Sequence, residues 1–177
     1  MRERPWTQDD VPRDFLDELG ALAVGSRLKR LADRMLAEAA GTYRSFGQDA
    51  QPKWFGLLAL LHREGPVGVV QAAQRLGLTQ PAVTQFCRGL EQRGWVQVSP
   101  DPKDGRRRSI RLTRRGRSAV AGMQPMWRAV QRAGEDLCAE AGPSFLDSIR
   151  RFERALARRS IAERALEYAN EIDPERG

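Results

Sequence analysis

Gln80, Pro81, Thr84, Gln85 and Arg88 are spaced to share one face of a helix, and their side chains are of the kind that reads base edges. Amides can pair with adenine through two hydrogen bonds, an arginine can take guanine or a phosphate, and short side chains permit close approach to a major groove. Thr79 opens the same segment as its N-cap. Further on, Lys103, Arg106 and Arg107, continued by Arg108, form a compact basic cluster able to enter a minor groove or lie along phosphates. The chemistry this set implies is recognition of double-stranded DNA.

The elements that must position these residues follow from local signals. Gln80 and Pro81 suit a first helical turn, and Val83, Cys87 and Leu90 recur at i, i+4 and i+7 until Gly94 ends the helix. The period then changes to two. Trp95 to Val98 reads as a strand, 101–105 as a turn rich in Pro, Asp and Gly, and Ile110 and Leu112 fall on one side of a returning strand. Upstream, Val69 to Leu76 is short, ends at Gly77, and carries Ala72 and Ala73 for close packing, as the first helix of a helix-turn-helix does. Helix, helix, strand, basic tip and strand in succession make a winged helix. A charge run is usually a solvated face, but a helix-turn-helix directly upstream gives this one a polyanionic target.

This segment resembles the winged helix-turn-helix of the MarR family of bacterial transcription regulators. The wing of that family commonly reads Asp-Pro-x-Asp-x-Arg and, a few residues later, Leu-Thr; here Asp101, Pro102, Asp104, Arg106, Leu112 and Thr113 stand at those positions. Lys103 replaces a frequent arginine, and Gly105 removes a side chain near the tip. The resemblance implies groove or backbone contacts for the wing's basic residues and positioning roles for Asp101 and Asp104. It also implies a mostly α fold: a winged helix-turn-helix with a two-stranded β-wing, and long N- and C-terminal helices forming a dimerisation region. The expected division is a flexible N-terminus at 1–13, an N-terminal dimerisation helix at 14–45, the DNA-binding domain at 52–113, C-terminal dimerisation helices at 114–172 and a tail at 173–177.

Composition bounds the function independently. The net charge is +7, and the window from Arg63 to Arg117 holds twelve Lys or Arg against four Asp or Glu, so the remainder is close to neutral. Such a field favours a polyanion and makes affinity strongly salt-dependent. The two cysteines, Cys87 and Cys138, form no CxxC pair, and His62 is the single histidine. No metal site, cofactor or nucleophile and base pair is therefore expected, and the chain reads as a non-enzyme. Cys87 lies on the apolar stripe, which favours an inert core thiol over a redox sensor. No apolar run approaches the roughly 20 residues of a membrane span, and the N-terminus is polar, so a soluble cytoplasmic protein is expected.

The flanking regions read as helices with apolar stripes. Leu19, Leu22, Leu28, Leu31, Met35 and Tyr43 mark the first, weakened by Gly20 and Gly25. Pro52 opens a second helix closed by Gly65 and Pro66. Thr113 caps a long helix to about Ala141, bent at Pro125; a helix from Pro143 shows Phe145, Ile149, Phe152 and Leu156 as a seam; and Ser160 with Glu163 forms a capping box for a last one. Such arms need each other or a second copy, and a C2 dimer also matches the two half-sites that helix-turn-helix proteins read. The resemblance implies a homodimeric repressor on a pseudo-palindromic operator, responsive in many relatives to a small aromatic effector. Tyr43, Trp54, Phe55, Met123 and Trp127 are the candidate lining residues for such a ligand, although aromatics at helical spacing more often serve as ordinary core. The alternative function is a non-specific architectural or partner-recruiting DNA-binding protein.

Overall fold

A computed structural model of the chain describes residues 14–100 and 108–172. Helix dominates, and the chain divides into two compact units between Gln124 and Pro125.

The first unit begins with Asp14, whose carboxylate accepts the backbone N–H groups of Leu16 and Asp17 at 3.0 and 3.1 Å and so caps helix α1 (Phe15–Glu18). The single helix expected over 14–45 is in fact interrupted. Gly20 takes φ +53, a 3-10 turn covers Gly20–Ala23, and only then does α2 run from Val24 to Ser45. A glycine that adopts left-handed backbone without steric cost ends a helix readily, which is why the apolar steps there are irregular. A 3-10 turn at Pro52–Trp54 leads into α3 (Phe55–Glu64). Leu57, Leu58 and Leu61 on α3 are buried.

A two-residue strand, β1 (Val67–Gly68), precedes α4 (Val69–Leu76), and α4 closes on Gly77 in the left-handed region. Beyond it, the N–H of Leu78 donates to the carbonyl of Ala73 at 2.9 Å, a glycine-dependent helix stop that swings the chain into α5 (Gln80–Gln92). The wing follows as β2 (Val96–Pro100) and β3 (Arg108–Leu112). The sheet order is β1-β3-β2, all antiparallel, with Ile110 opposite both Val67 and Val98. The expected two-stranded wing thus gains a third strand, too short for a period of two to register in sequence. Ile110, at the centre, is fully buried with Val83, Leu90 and Val120.

The wing is locked to the next helix, α6 (Arg114–Glu140). The Thr113 hydroxyl donates to the carbonyl of Gly94 at 2.6 Å and accepts the N–H of Gly116 at 2.9 Å. A Cβ on Gly116 would overlap the carbonyl oxygen of Trp95, so only glycine lets α6 start this close to the wing.

Helix α6 continues through Pro125. In the second unit, α7 (Phe145–Arg158) starts after Ser144, two residues later than Pro143 suggested. Helix α8 (Ile161–Ile172) carries the expected capping box: the N–H of Glu163 donates to the Ser160 hydroxyl at 3.2 Å, and the N–H of Ser160 donates to the Glu163 carboxylate at 2.6 Å. The Ser160 hydroxyl, donating to that carboxylate at 2.8 Å, and the Ser160 N–H hold the Glu163 carboxyl below its usual range. The Arg164 guanidinium donates to the carbonyls of Ala155 and Arg159 at 3.0 and 3.2 Å, closing the α7–α8 corner. Among the described residues, no helix is long and apolar enough to cross a membrane.

Candidate nucleic-acid interface

Recognition begins with how α5 is held. Thr79 has extended backbone, and its hydroxyl accepts the N–H of Ala82 at 3.3 Å, as an N-cap should. Val83, Cys87 and Leu90 are buried as one stripe. Gln80, Pro81, Thr84, Gln85 and Arg88 are all exposed on the rest of the helix. Burial of the stripe leaves these side chains as the outward surface of a rigid element.

An open groove of about 1020 Å³ runs beside that surface, lined by Gln80, Thr84 and Arg88 of α5, Gln71 and Gln74 of α4, and Arg108 of β3. Gln71 and Gln74 are not among the residues expected from sequence. Their signal was present: with Ala72 and Ala73 buried, residues on either side of that pair must face outward on an eight-residue helix. Arg108 opens β3 opposite Pro100 and is exposed, so it brings positive charge from the wing to the same groove. Glu91 connects the two elements, its carboxylate accepting the N–H of Val98 at 2.9 Å. Arg111 steadies the hairpin by donating to the Gln97 side-chain oxygen at 2.7 Å.

Lys103, Arg106 and Arg107, together with Asp101 and Asp104, lie outside the described residues. Their roles at the wing tip are therefore expectations from sequence.

Cys87 also borders the groove, but it is nearly inaccessible. Burial, with the nearby Glu91 carboxylate, pushes its thiol up to about 11, so the reactive thiolate is scarce at neutral pH. Both cysteines are free thiols. His62 is exposed in the last turn of α3, and among the described residues no cluster of His, Cys, Asp or Glu could hold a metal ion.

The aromatic and Met candidates for an effector site have different surroundings. Tyr43, Trp54 and Met123 are buried, Phe55 is about half exposed and Trp127 is partly buried. Trp54 packs on the recognition helix itself, where a Cβ on Gly89 would come within 2.8 Å of its ring. None of these residues lines the groove above or the smaller pocket at the α6–α7 turn.

A helix with a buried stripe and an amide-rich outer face, flanked by a basic hairpin, defines a winged-helix DNA-binding protein. Residues 48–107 match the sequence model of the MarR family, whose members are DNA-binding transcription regulators and not enzymes. No curated protein matches the chain. Among solved structures, BpsR of Bordetella bronchiseptica, studied for regulation of its DNA binding by 6-hydroxynicotinic acid, is 20% identical; the match covers 87% of this chain and 98% of BpsR with a TM-score of 0.58. A mutant MarR from E. coli complexed with operator DNA is 20% identical over 81% of this chain and 98% of its own, with a TM-score of 0.59. BldR from Sulfolobus solfataricus is 19% identical over 82% of this chain and 99% of its own, with a TM-score of 0.58. At these identities the likeness is one of fold.

Proposed function

We propose that this chain is a homodimeric, sequence-specific transcription regulator, a repressor on a pseudo-palindromic operator. The observation that carries the reading is the outer face of α5, where Gln80, Pro81, Thr84, Gln85 and Arg88 stand exposed over a buried stripe and beside a groove shared with α4 and the wing. In this reading the amides select bases, Arg88 takes guanine or a phosphate, and Thr79 marks the start of the inserted helix. Lys103, Arg106 and Arg107 hold the flanking groove or backbone, with Asp101 and Asp104 positioning them. A second copy supplies the other half-site, at about 34 to 36 Å. The apolar faces of α2 and α7, exposed in the single chain, support such pairing.

Selection of bound duplexes from random DNA at about 150 mM salt tests the proposal. An enriched inverted repeat with half-sites one helical turn apart is the expected result. Binding without enrichment would instead define a non-specific architectural or partner-recruiting protein. On the selected operator, Arg106→Ala should weaken binding and shallow the salt dependence by about one counterion; an unchanged slope and affinity would remove Arg106 from the interface.

Regulation by a small aromatic effector belongs to the same proposal. The ligand of BpsR makes aromatic acids, 6-hydroxynicotinic acid first, the natural screen. A true effector lowers operator affinity by the factor by which DNA lowers its own affinity. Tyr43, Trp54, Phe55, Met123 and Trp127 are the proposed lining. Intrinsic Trp fluorescence and operator affinity should change together; a broad screen in which neither moves counts against an effector.

A further inference from the structure

Arg93 stands apart from the other arginines of the winged helix. It is the C-cap of α5, one residue before the glycine that turns the chain into the wing, yet its guanidinium lies across two indole rings. Its Cζ is 5.2 Å from the centroid of Trp54 and 5.7 Å from that of Trp95, within the range in which the face of an indole attracts a cation. The two rings meet edge to face, 6.4 Å apart at 77°. Past the rings, the guanidinium donates to the backbone carbonyl of Asp49 at 2.8 Å and to its carboxylate at 3.3 Å, with a further ion-pair contact to the other carboxylate oxygen. Arg93 in turn holds the Asp49 carboxyl below its usual range.

These contacts join three places in the chain. Asp49 belongs to the connection between α2 and α3, just beyond the point where the N–H of Gln48 donates to the carbonyl of Tyr43, a buried residue near the end of α2. Trp54 lies in the 3-10 turn that opens α3 and presses on Gly89 of α5. Trp95 is the residue that leads into β2. The free end of the recognition helix is thereby tied to the α2–α3 connection and to the root of the wing at once.

We infer that Arg93 is a positioning residue for DNA recognition: it makes no phosphate contact, and by clasping Asp49, Trp54 and Trp95 it sets the angle at which α5 presents its reading face relative to the wing. This rests on the DNA-binding reading above. A planar, forked cation is required, because it must stack on rings and donate to a carboxylate and a carbonyl simultaneously; lysine keeps the charge, but its compact ammonium cannot make all of these contacts at once. Ion-pair exposure at Asp49 makes the carboxylate the weaker half of the clasp.

The test compares the full-length protein with Arg93→Lys, Arg93→Ala and Asp49→Asn on the selected operator and on a random duplex, over a series of salt concentrations and well below each variant's melting temperature. Both Arg93 variants should lose about tenfold in operator affinity, with little loss on the random duplex, no change in salt slope and a shift in Trp emission. Asp49→Asn should lose less, and its effect should largely vanish in the Arg93→Ala background, as coupled contacts do. A salt slope shallower by about one counterion, with equal losses on both duplexes, would make Arg93 a phosphate contact and overturn the inference. So would unchanged operator affinity alongside altered Trp emission, or full rescue by lysine. If the unsubstituted protein shows no sequence preference, the recognition reading itself has failed and the inference falls with it; a preference left undiminished by Arg93→Ala overturns the inference alone.

Discussion

Amides on the outer face of α5 can favour particular bases without adding charge, so their removal should separate affinity from salt dependence. Gln85→Ala is expected to cost about 1 to 3 kcal/mol on the operator and to relax preference at one base pair. Affinity for random duplex and the salt slope should hold, as competition binding at two ionic strengths would reveal; a uniform loss on every sequence would contradict a base-reading role. Cys87 supports a prediction of another kind. Its folded-state thiol titrates near 11 instead of the ordinary 9.0, chiefly because burial disfavours the thiolate. The folded protein therefore binds more protons than the unfolded chain between those values, and this contribution to stability is complete below pH 9 and lost as pH rises toward 11. Thermal melts from about pH 8 to 11 should decline more steeply for the natural protein than for Cys87→Val, and equal declines would mean the thiol is not as buried as described. The same burial predicts that peroxide leaves DNA affinity unchanged, since little thiolate is available to react.

At the level of elements, the tightest contacts fall at junctions between them. The wing meets α6 where Gly116 lies against the carbonyl of Trp95 and Thr113 bonds both Gly94 and Gly116. Gly116→Ala forces a methyl group into backbone that cannot easily retreat, and overpacking of this kind costs about 1 to 3 kcal/mol. A lower urea midpoint with an unchanged m-value is expected; a neutral result would mean that the start of α6 can shift away from the wing. The capping box at Ser160 is a milder case. Its hydroxyl serves an exposed helix end, so Ser160→Ala should remove about 1 kcal/mol from α8, visible as lost helical ellipticity on mild heating and not as a change in DNA binding.

For the molecule as a whole, the decisive quantity is apolar surface. Leu28, Leu31, Met35 and Leu36 of α2 are each about half exposed, and so are Leu146, Phe152 and Leu156 of α7, with Ile149 only slightly less so. Contiguous apolar faces of this kind mark a contact surface. Their place in the proposed function is to hold two copies together so that two α5 helices meet successive major grooves. Phe152→Glu, which sets a carboxylate in the middle of the α7 seam, is expected to shift sedimentation from dimer to monomer and to abolish binding to an inverted repeat while retaining weak binding to a half-site. A dimer that survives the substitution would exclude α7 from the interface.

Elements announced by neighbouring residues are legible in the sequence alone. The N-cap at Thr79, the stripe of Val83, Cys87 and Leu90, the stop at Gly94, the returning strand through Ile110 and Leu112, and the box at Ser160 and Glu163 all depend on contacts within a few residues, and the match at 48–107 agrees with the winged helix they spell out. What sequence could not supply were relationships between distant segments. Strand β1 exists only because β3 offers Val67 and Gly68 a partner; two residues have no periodicity of their own. Gln71 and Gln74 join the groove beside α5 because α4 packs against that helix, and the break at Gly20 follows from a backbone angle that the apolar steps merely blurred. Arg93 is the sharpest instance. In sequence it is one more positive charge in a basic window, but folding brings it to Asp49, 44 residues away, and to two indole rings, so its charge is already partnered within the protein. Local chemistry determines which elements form; whether a charged side chain is left facing outward depends on which remote groups the packed chain brings to meet it.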